Sequence, residues 1–155
     1  MKWRCCMKYP VFFVFLYLFT AATCFAEEKT YIGSKACKDC HEQEYSNFVK
    51  YAKKADSFKS IKKMEKKLTP EEYQSCFECH TTGYGKKGGF ISEEKTPALM
   101  DAGCEVCHGP GSRHADTEDP DEIISDLSME NCNTCHNEDR IEAFDFKPLL
   151  FGGAH

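Results

Sequence analysis

The chain is poor in the side chains that build an ordinary protein interior. Past residue 26 it holds only 20 Leu, Ile, Val and Phe residues, about 16% of that stretch. A charged chain with so few of them cannot bury enough apolar surface to offset the entropy of ordering its backbone, and composition alone would class it as disordered. Basic charge is also scarce. Past residue 26 there are 17 Lys and Arg against 25 Asp and Glu, a balance of −8. That sign argues against nucleic acid or an anionic membrane as a partner. Nor is any cysteine spare. Cys5, Cys6 and Cys24 lie in the first 26 residues, and the other eight all belong to one repeated motif, which leaves none for a structural disulfide.

What the chain has in place of a core is that motif, Cys-x-x-Cys-His. Its copies are Cys37-Lys38-Asp39-Cys40-His41, Cys76-Phe77-Glu78-Cys79-His80, Cys104-Glu105-Val106-Cys107-His108 and Cys132-Asn133-Thr134-Cys135-His136. Two cysteines three residues apart lie on one face of a helical turn. There they can form thioethers with the two vinyl groups of one haem, while the histidine that follows ligates the iron from the proximal side. Zinc ribbons also use paired Cys-x-x-Cys knuckles, and exported chains use cysteine for disulfides. Neither needs a histidine directly after every second cysteine. The motifs therefore read as four covalently bound c-type haems, with His41, His80, His108 and His136 as proximal ligands. Each macrocycle is a large, flat, apolar surface, so the cofactors supply most of the core and the polypeptide is a thin wrapping around them.

The N-terminus agrees with that chemistry, because haem is attached to such proteins outside the cytoplasmic membrane. Lys2, Arg4 and Lys8 make a basic start, residues 11–22 are almost purely apolar, and Cys24-Phe25-Ala26 offers small residues at the positions signal peptidase reads. The apolar run is short for a membrane span. The expectation is a signal peptide over 1–26, cleaved after Ala26, and one tetrahaem domain over 27–155 in the periplasm, with no stable membrane span afterwards. An uncleaved anchor, a lipidated Cys24 and an extracellular location are the weaker alternatives.

Motif starts are spaced by 39, 28 and 28 residues, but nothing else repeats. Tyr45, Phe48, Val49, Ala52 and Ala55 recur at helical spacing. Residues 62–67 are strongly basic and read as a solvated helix face. Thr69-Pro70-Glu71-Glu72 reads as a capping box with proline in the first turn, opening a helix that runs into the second motif. Residues 81–89 form a glycine-rich loop. Thr96-Pro97 opens a helix toward the third motif, and Gly109-Pro110-Gly111 stops that motif's helix at once. Asp119-Pro120-Asp121-Glu122 opens another short helix, and Ser128 caps the turn that carries the fourth motif. The fold class is mainly α with extensive loops and little sheet.

A six-coordinate iron needs a second axial ligand, and here histidine runs short. The chain has six histidines and four are proximal. His114 and His155 are the candidates for distal ligands. Methionine is the next usual ligand, which brings in Met100, Met129 and Met64, although core filling explains a methionine as well. Lys54 or water could also serve. Otherwise an iron stays open and five-coordinate.

The sequence resembles the tetrahaem cytochromes of the cytochrome c-554 type. The resemblance rests on Tyr31-Ile32-Gly33-Ser34, on Cys79-His80-Thr81-Thr82-Gly83-Tyr84-Gly85, on Gly103-Cys104-Glu105-Val106-Cys107-His108-Gly109-Pro110-Gly111-Ser112-Arg113-His114, and on the tail around Phe144-Asp145-Phe146 ending at His155. It implies a periplasmic electron carrier with mostly bis-histidine haems in stacked pairs, one open haem, and distal roles for His114 and His155. The chain departs from the pattern at Lys54-Ala55, which stands where relatives commonly have a histidine followed by alanine.

The function expected is electron transfer and storage between a redox donor and a redox acceptor, with docking to a basic patch on the partner through the acidic surface. The alternatives are a haem enzyme reducing a small nitrogen oxide or peroxide at an open haem, and a haem subunit of an oligomer, larger assembly or filament. Mass spectrometry of the exported protein should show residues 27–155 plus four haems. A haem-free protein holding zinc would overturn the reading.

Overall fold

A computed structural model describes residues 28–137 of the chain. The leader, the tail around Phe144 and His155 lie outside the described residues. The described residues form short helices joined by loops and 3-10 turns, with no strand among them. The helices are α1 (Ser34–Cys37), α2 (Glu42–Tyr51), α3 (Ser57–Lys62), α4 (Pro70–Ser75), α5 (Phe77–His80), α6 (Cys104–His108), α7 (Ser112–Thr117) and α8 (Met129–Asn133). No helix among the described residues is long and apolar enough to cross a membrane.

Local chemistry explains most of the boundaries. Helix α4 begins at a full capping box: Glu72 N–H donates to Thr69 Oγ1 at 3.3 Å, and Thr69 N–H donates to Glu72 Oε2 at 2.8 Å. Only Cys76 separates it from α5, so the chain runs almost without a break into the second motif. Helix α6 ends at Gly109, whose φ of +80° is a turn conformation open to glycine. Ser128 and Asn131 brace the start of α8, with Ser128 N–H donating to Asn131 Oδ1 at 2.9 Å. Three expectations are modified. The spacing from Tyr45 to Ala55 does not make one helix, because α2 ends at Tyr51 and Ala55 falls in a 3-10 turn, Lys53–Asp56. Thr96-Pro97 opens only a single 3-10 turn, Pro97–Leu99, and α6 starts afresh after Gly103. The basic residues 62–67 do not share one helix: α3 ends at Lys62 and a separate 3-10 turn covers Glu65–Lys67.

The side-chain core is small. Phe58, Ile61, Phe90 and Leu99 form its buried cluster, with Tyr31, Tyr73, Phe77, Tyr84 and Met100 packed around it. Phe77, inside the second motif, is the centre of the aromatic contacts. Its ring meets Tyr73, Tyr84 and Phe90 edge-on at centroid distances of 5.0, 5.3 and 5.4 Å. The second motif is thereby seated on the core.

Buried Ser57 and Thr82 and half-buried Ser34 tie the remaining segments together. Ser57 Oγ donates to His80 O at 2.9 Å and accepts from Ala102 N–H at 2.9 Å. Thr82 Oγ1 donates to Asp101 O and accepts from Gly103 N–H at 2.9 Å. Ser34 Oγ accepts from Cys104 N–H at 2.9 Å. These bonds join the exit of the second motif to the entry of the third, and the third to α1.

An aromatic cluster of this size cannot stabilise so many loops unaided. The protein prepared without cofactor should lack a cooperative thermal transition and resistance to protease. A sharp calorimetric transition in the apo-protein would contradict this.

Candidate cofactor-binding site

All four motifs adopt the same local form, one turn of helix. In the first, second and fourth, the histidine N–H donates to the carbonyl of the first cysteine, at 2.9 Å for His41, 3.1 Å for His80 and 2.9 Å for His136. The third motif lies wholly within α6. The turn places both thiols of each motif along one side and carries the imidazole just beyond them. Among the described residues none of the eight cysteines is joined in a disulfide. Among the described residues no three His, Cys, Asp or Glu side chains converge as a bare metal ion would require.

The thiols meet across motifs. Cys37 and Cys104, the first cysteines of the first and third motifs, share a hydrogen bond. That bond lowers Cys104 to about 6 and, with burial and the charge of Glu105, raises Cys37. Cys79 and Cys135, the second cysteines of the second and fourth motifs, share another hydrogen bond. Burial first, and then that bond, push Cys135 up to about 12. The first motif thus meets the third and the second meets the fourth, and Cys107 of the third also feels Cys132 of the fourth.

Three imidazoles are held by backbone carbonyls. His80 Nδ1 lies 3.1 Å from Ser57 O, His108 Nδ1 lies 2.6 Å from Ile124 O, and His114 Nδ1 lies 2.9 Å from Asp119 O. A carbonyl can only accept, so each Nδ1 carries the proton and Nε2 keeps its lone pair for a metal. A hydrogen bond of this kind on one ring nitrogen fixes the orientation of a metal-binding histidine. The loop after α7 is shaped for it. Glu118 adopts φ +58°, the left-handed conformation, and its N–H closes onto His114 O at 2.7 Å. That turn brings the Asp119 carbonyl back to the His114 ring. At His136, burial and then the charge of Lys54 hold the pKa below the usual histidine range, favouring the neutral ring that binds metals.

His41 and His114 come from distant parts of the chain, yet their rings face each other at a centroid distance of 6.1 Å with 27° between planes. The contact brings one histidine of the first motif and one from α7 into the same locality. The weaker candidates are placed less favourably. Met64 and Met129 are exposed, and Met100 packs against the aromatic core. Lys54 is half-buried and close enough to Cys107, Cys135 and His136 for its charge to be felt at all three. His155 lies outside the described residues.

Sequence reasoning missed the residues that hold these groups in place. Ser34, Ser57, Thr82 and Glu105 are ordinary polar residues by composition. Only their burial and their bonds to distant backbone groups reveal them.

Residues 36–109 match the family described as Cytochrome c554 and c-prime, a span that includes the first three motifs. The chain is 36% identical over 106 residues to Cytochrome c-554 of Nitrosomonas europaea. The aligned region covers 62% of this chain and 45% of that relative, so the chain spans less than half of the relative's length. No solved structure matches the chain.

Ser57 offers a direct test of the ties around the second motif. Replacing it with alanine strips the acceptor from the Ala102 N–H and the donor from His80 O. Leaving such a buried group unpaired costs about 1–3 kcal/mol. Thermal unfolding of the Ser57→Ala protein should show that loss, and an unchanged midpoint would mean water replaces the hydroxyl.

Proposed function

We propose that this chain, which belongs to the cytochrome c-554 type family, binds four c-type haems and carries electrons in the periplasm between a redox donor and a redox acceptor. The donor sets fit the cofactor. Cys37 and Cys40, Cys76 and Cys79, Cys104 and Cys107, and Cys132 and Cys135 would form the thioethers, with His41, His80, His108 and His136 as proximal ligands. A haem held in this way supplies an iron that cycles between ferric and ferrous states, one electron at a time.

The observation that carries the reading is the set of Nδ1–carbonyl bonds at His80, His108 and His114, which leaves Nε2 of each ring as the ligand atom. The closeness of His41 and His114 supports pairing the first motif with a distal ligand from α7. The cross-motif thiol contacts support two pairs of neighbouring haems. With the sites so close, electrons can pass along the chain without any moving element. His155 is the second distal candidate.

A second reading follows from the histidine count. Six histidines cannot fill eight axial positions, and neither exposed Met64 and Met129 nor core-packed Met100 is poised as a replacement. An iron without a sixth ligand, or one met by Lys54, could reduce a small nitrogen oxide or peroxide. A high-spin component that shifts with carbon monoxide or nitric oxide would favour that activity.

Replacing His114 by alanine should convert one low-spin signal in electron paramagnetic resonance to high-spin and leave the others largely unchanged. Replacing His41 should disturb that same signal. If the two variants affect different signals, the pairing of His41 with His114 is wrong.

A further inference from the structure

We propose that Glu105 is a fixed buried anion that lowers the reduction potential of the two haem sites anchored through Cys37 and Cys104. This rests on the tetrahaem reading above. Glu105 is 2% exposed and is the largest fully buried side chain among the described residues. Every hydrogen bond to its carboxyl group comes from a donor. Oε1 accepts from Ile32 N–H at 3.0 Å and Gly111 N–H at 2.8 Å. Oε2 accepts from Gly33 N–H at 2.7 Å, with Ile32 N–H also at 3.2 Å. Donors on both oxygens are the solvation of a carboxylate anion. None of the ion pairs among the described residues includes it. Among the described residues its hydrogen-bond partners are backbone amides.

The position of this anion matters as much as its burial. Glu105 follows Cys104 directly, and its bonds pull residues 32–33, just before α1, against the third motif. Its field reaches both Tyr31 and Cys37, where after burial of Tyr31, and after the Cys104 bond and burial at Cys37, it helps raise both groups. The site is shaped around it: a Cβ on Gly111 would stand 3.3 Å from Oε1. A negative charge in a low-dielectric interior stabilises the more positive, oxidised state of a nearby iron, and salt screens it weakly. A neutral glutamine would keep one acceptor oxygen but turn its amide N–H groups toward a backbone donor.

The test compares Glu105→Gln and Glu105→Asp with the unmodified holoprotein. Covalent haem content is read first, by mass and by haem stain on denaturing gels. Absence of haem in the unmodified protein would defeat the tetrahaem reading, which is a separate failure. Spectroelectrochemical titration then gives the potentials. Glu105→Gln should shift one or two transitions upward and leave the others in place. Glu105→Asp keeps the charge, so it should lower thermal stability while its potentials stay near the original. Unchanged potentials in a fully loaded Glu105→Gln protein, or an equal shift of all four, would overturn the proposal and leave Glu105 a structural tie. If Glu105→Gln fails to mature, the unmodified protein decides. Its two lowest transitions should move least as ionic strength is raised, and equal movement of all transitions would overturn the proposal.

Discussion

The structure depends on a few buried polar side chains that bond to backbone groups far away in the sequence. Glu105 gathers the amides of Ile32, Gly33 and Gly111, Ser57 joins His80 to Ala102, and Thr82 joins Asp101 to Gly103. With so few aliphatic residues, the chain cannot position its motifs by packing helix against helix. Directional bonds do that work over segments of four to ten residues, and they fix the motif helices relative to one another. Such bonds contribute little net stability each but are costly to leave unmade. The protein therefore gains specificity of arrangement from them and needs apolar surface from elsewhere.

The same economy governs the histidines. At His80, His108 and His114 a backbone carbonyl rather than an acidic side chain holds Nδ1 and leaves Nε2 available. Two of the three carbonyls come from residues that owe their position to turn chemistry, and the third, Ser57 O, comes from the start of α3. Asp119 follows the left-handed Glu118, and Ile124 follows a 3-10 turn whose Asp119 cap accepts from Asp121 N–H at 3.0 Å. Lys29 and Arg113 both pair with Glu122, at 2.8 and 3.1 Å, and hold that turn against the segment that leads into α1. The surface ion pairs here serve orientation more than stability.

Local signals were legible where they act over three or four residues. The capping box at Thr69, the stop at Gly109 and the cap at Ser128 need no tertiary information, and all three could be read from their residues. The extent of helix was less legible. Thr96-Pro97 has the right start signal, yet Gly103 and the Thr82 bond commit the following residues to an extended entry into α6. The motif cysteines and histidines stood out by spacing, but the facing of His41 and His114 did not. It depends on bonds between residues more than seventy positions apart, such as Ile32 to Glu105, and no periodicity encodes those.

Charge shows the same division between what composition reveals and what arrangement decides. Past residue 26 the balance is −8. Yet residues 50–67 hold eight lysines against only Asp56 and Glu65. Lys62 is drawn to Glu65 and Glu93, and Lys59 to Asp56. Val49, Tyr51 and Met64 are exposed in the same region. A partner at contact distance feels charges within a Debye length of about 8–10 Å, not the molecular sum. Net charge governs the long-range approach, and the local face governs orientation once contact is made. The acidic total therefore describes the long-range field but not the character of every face.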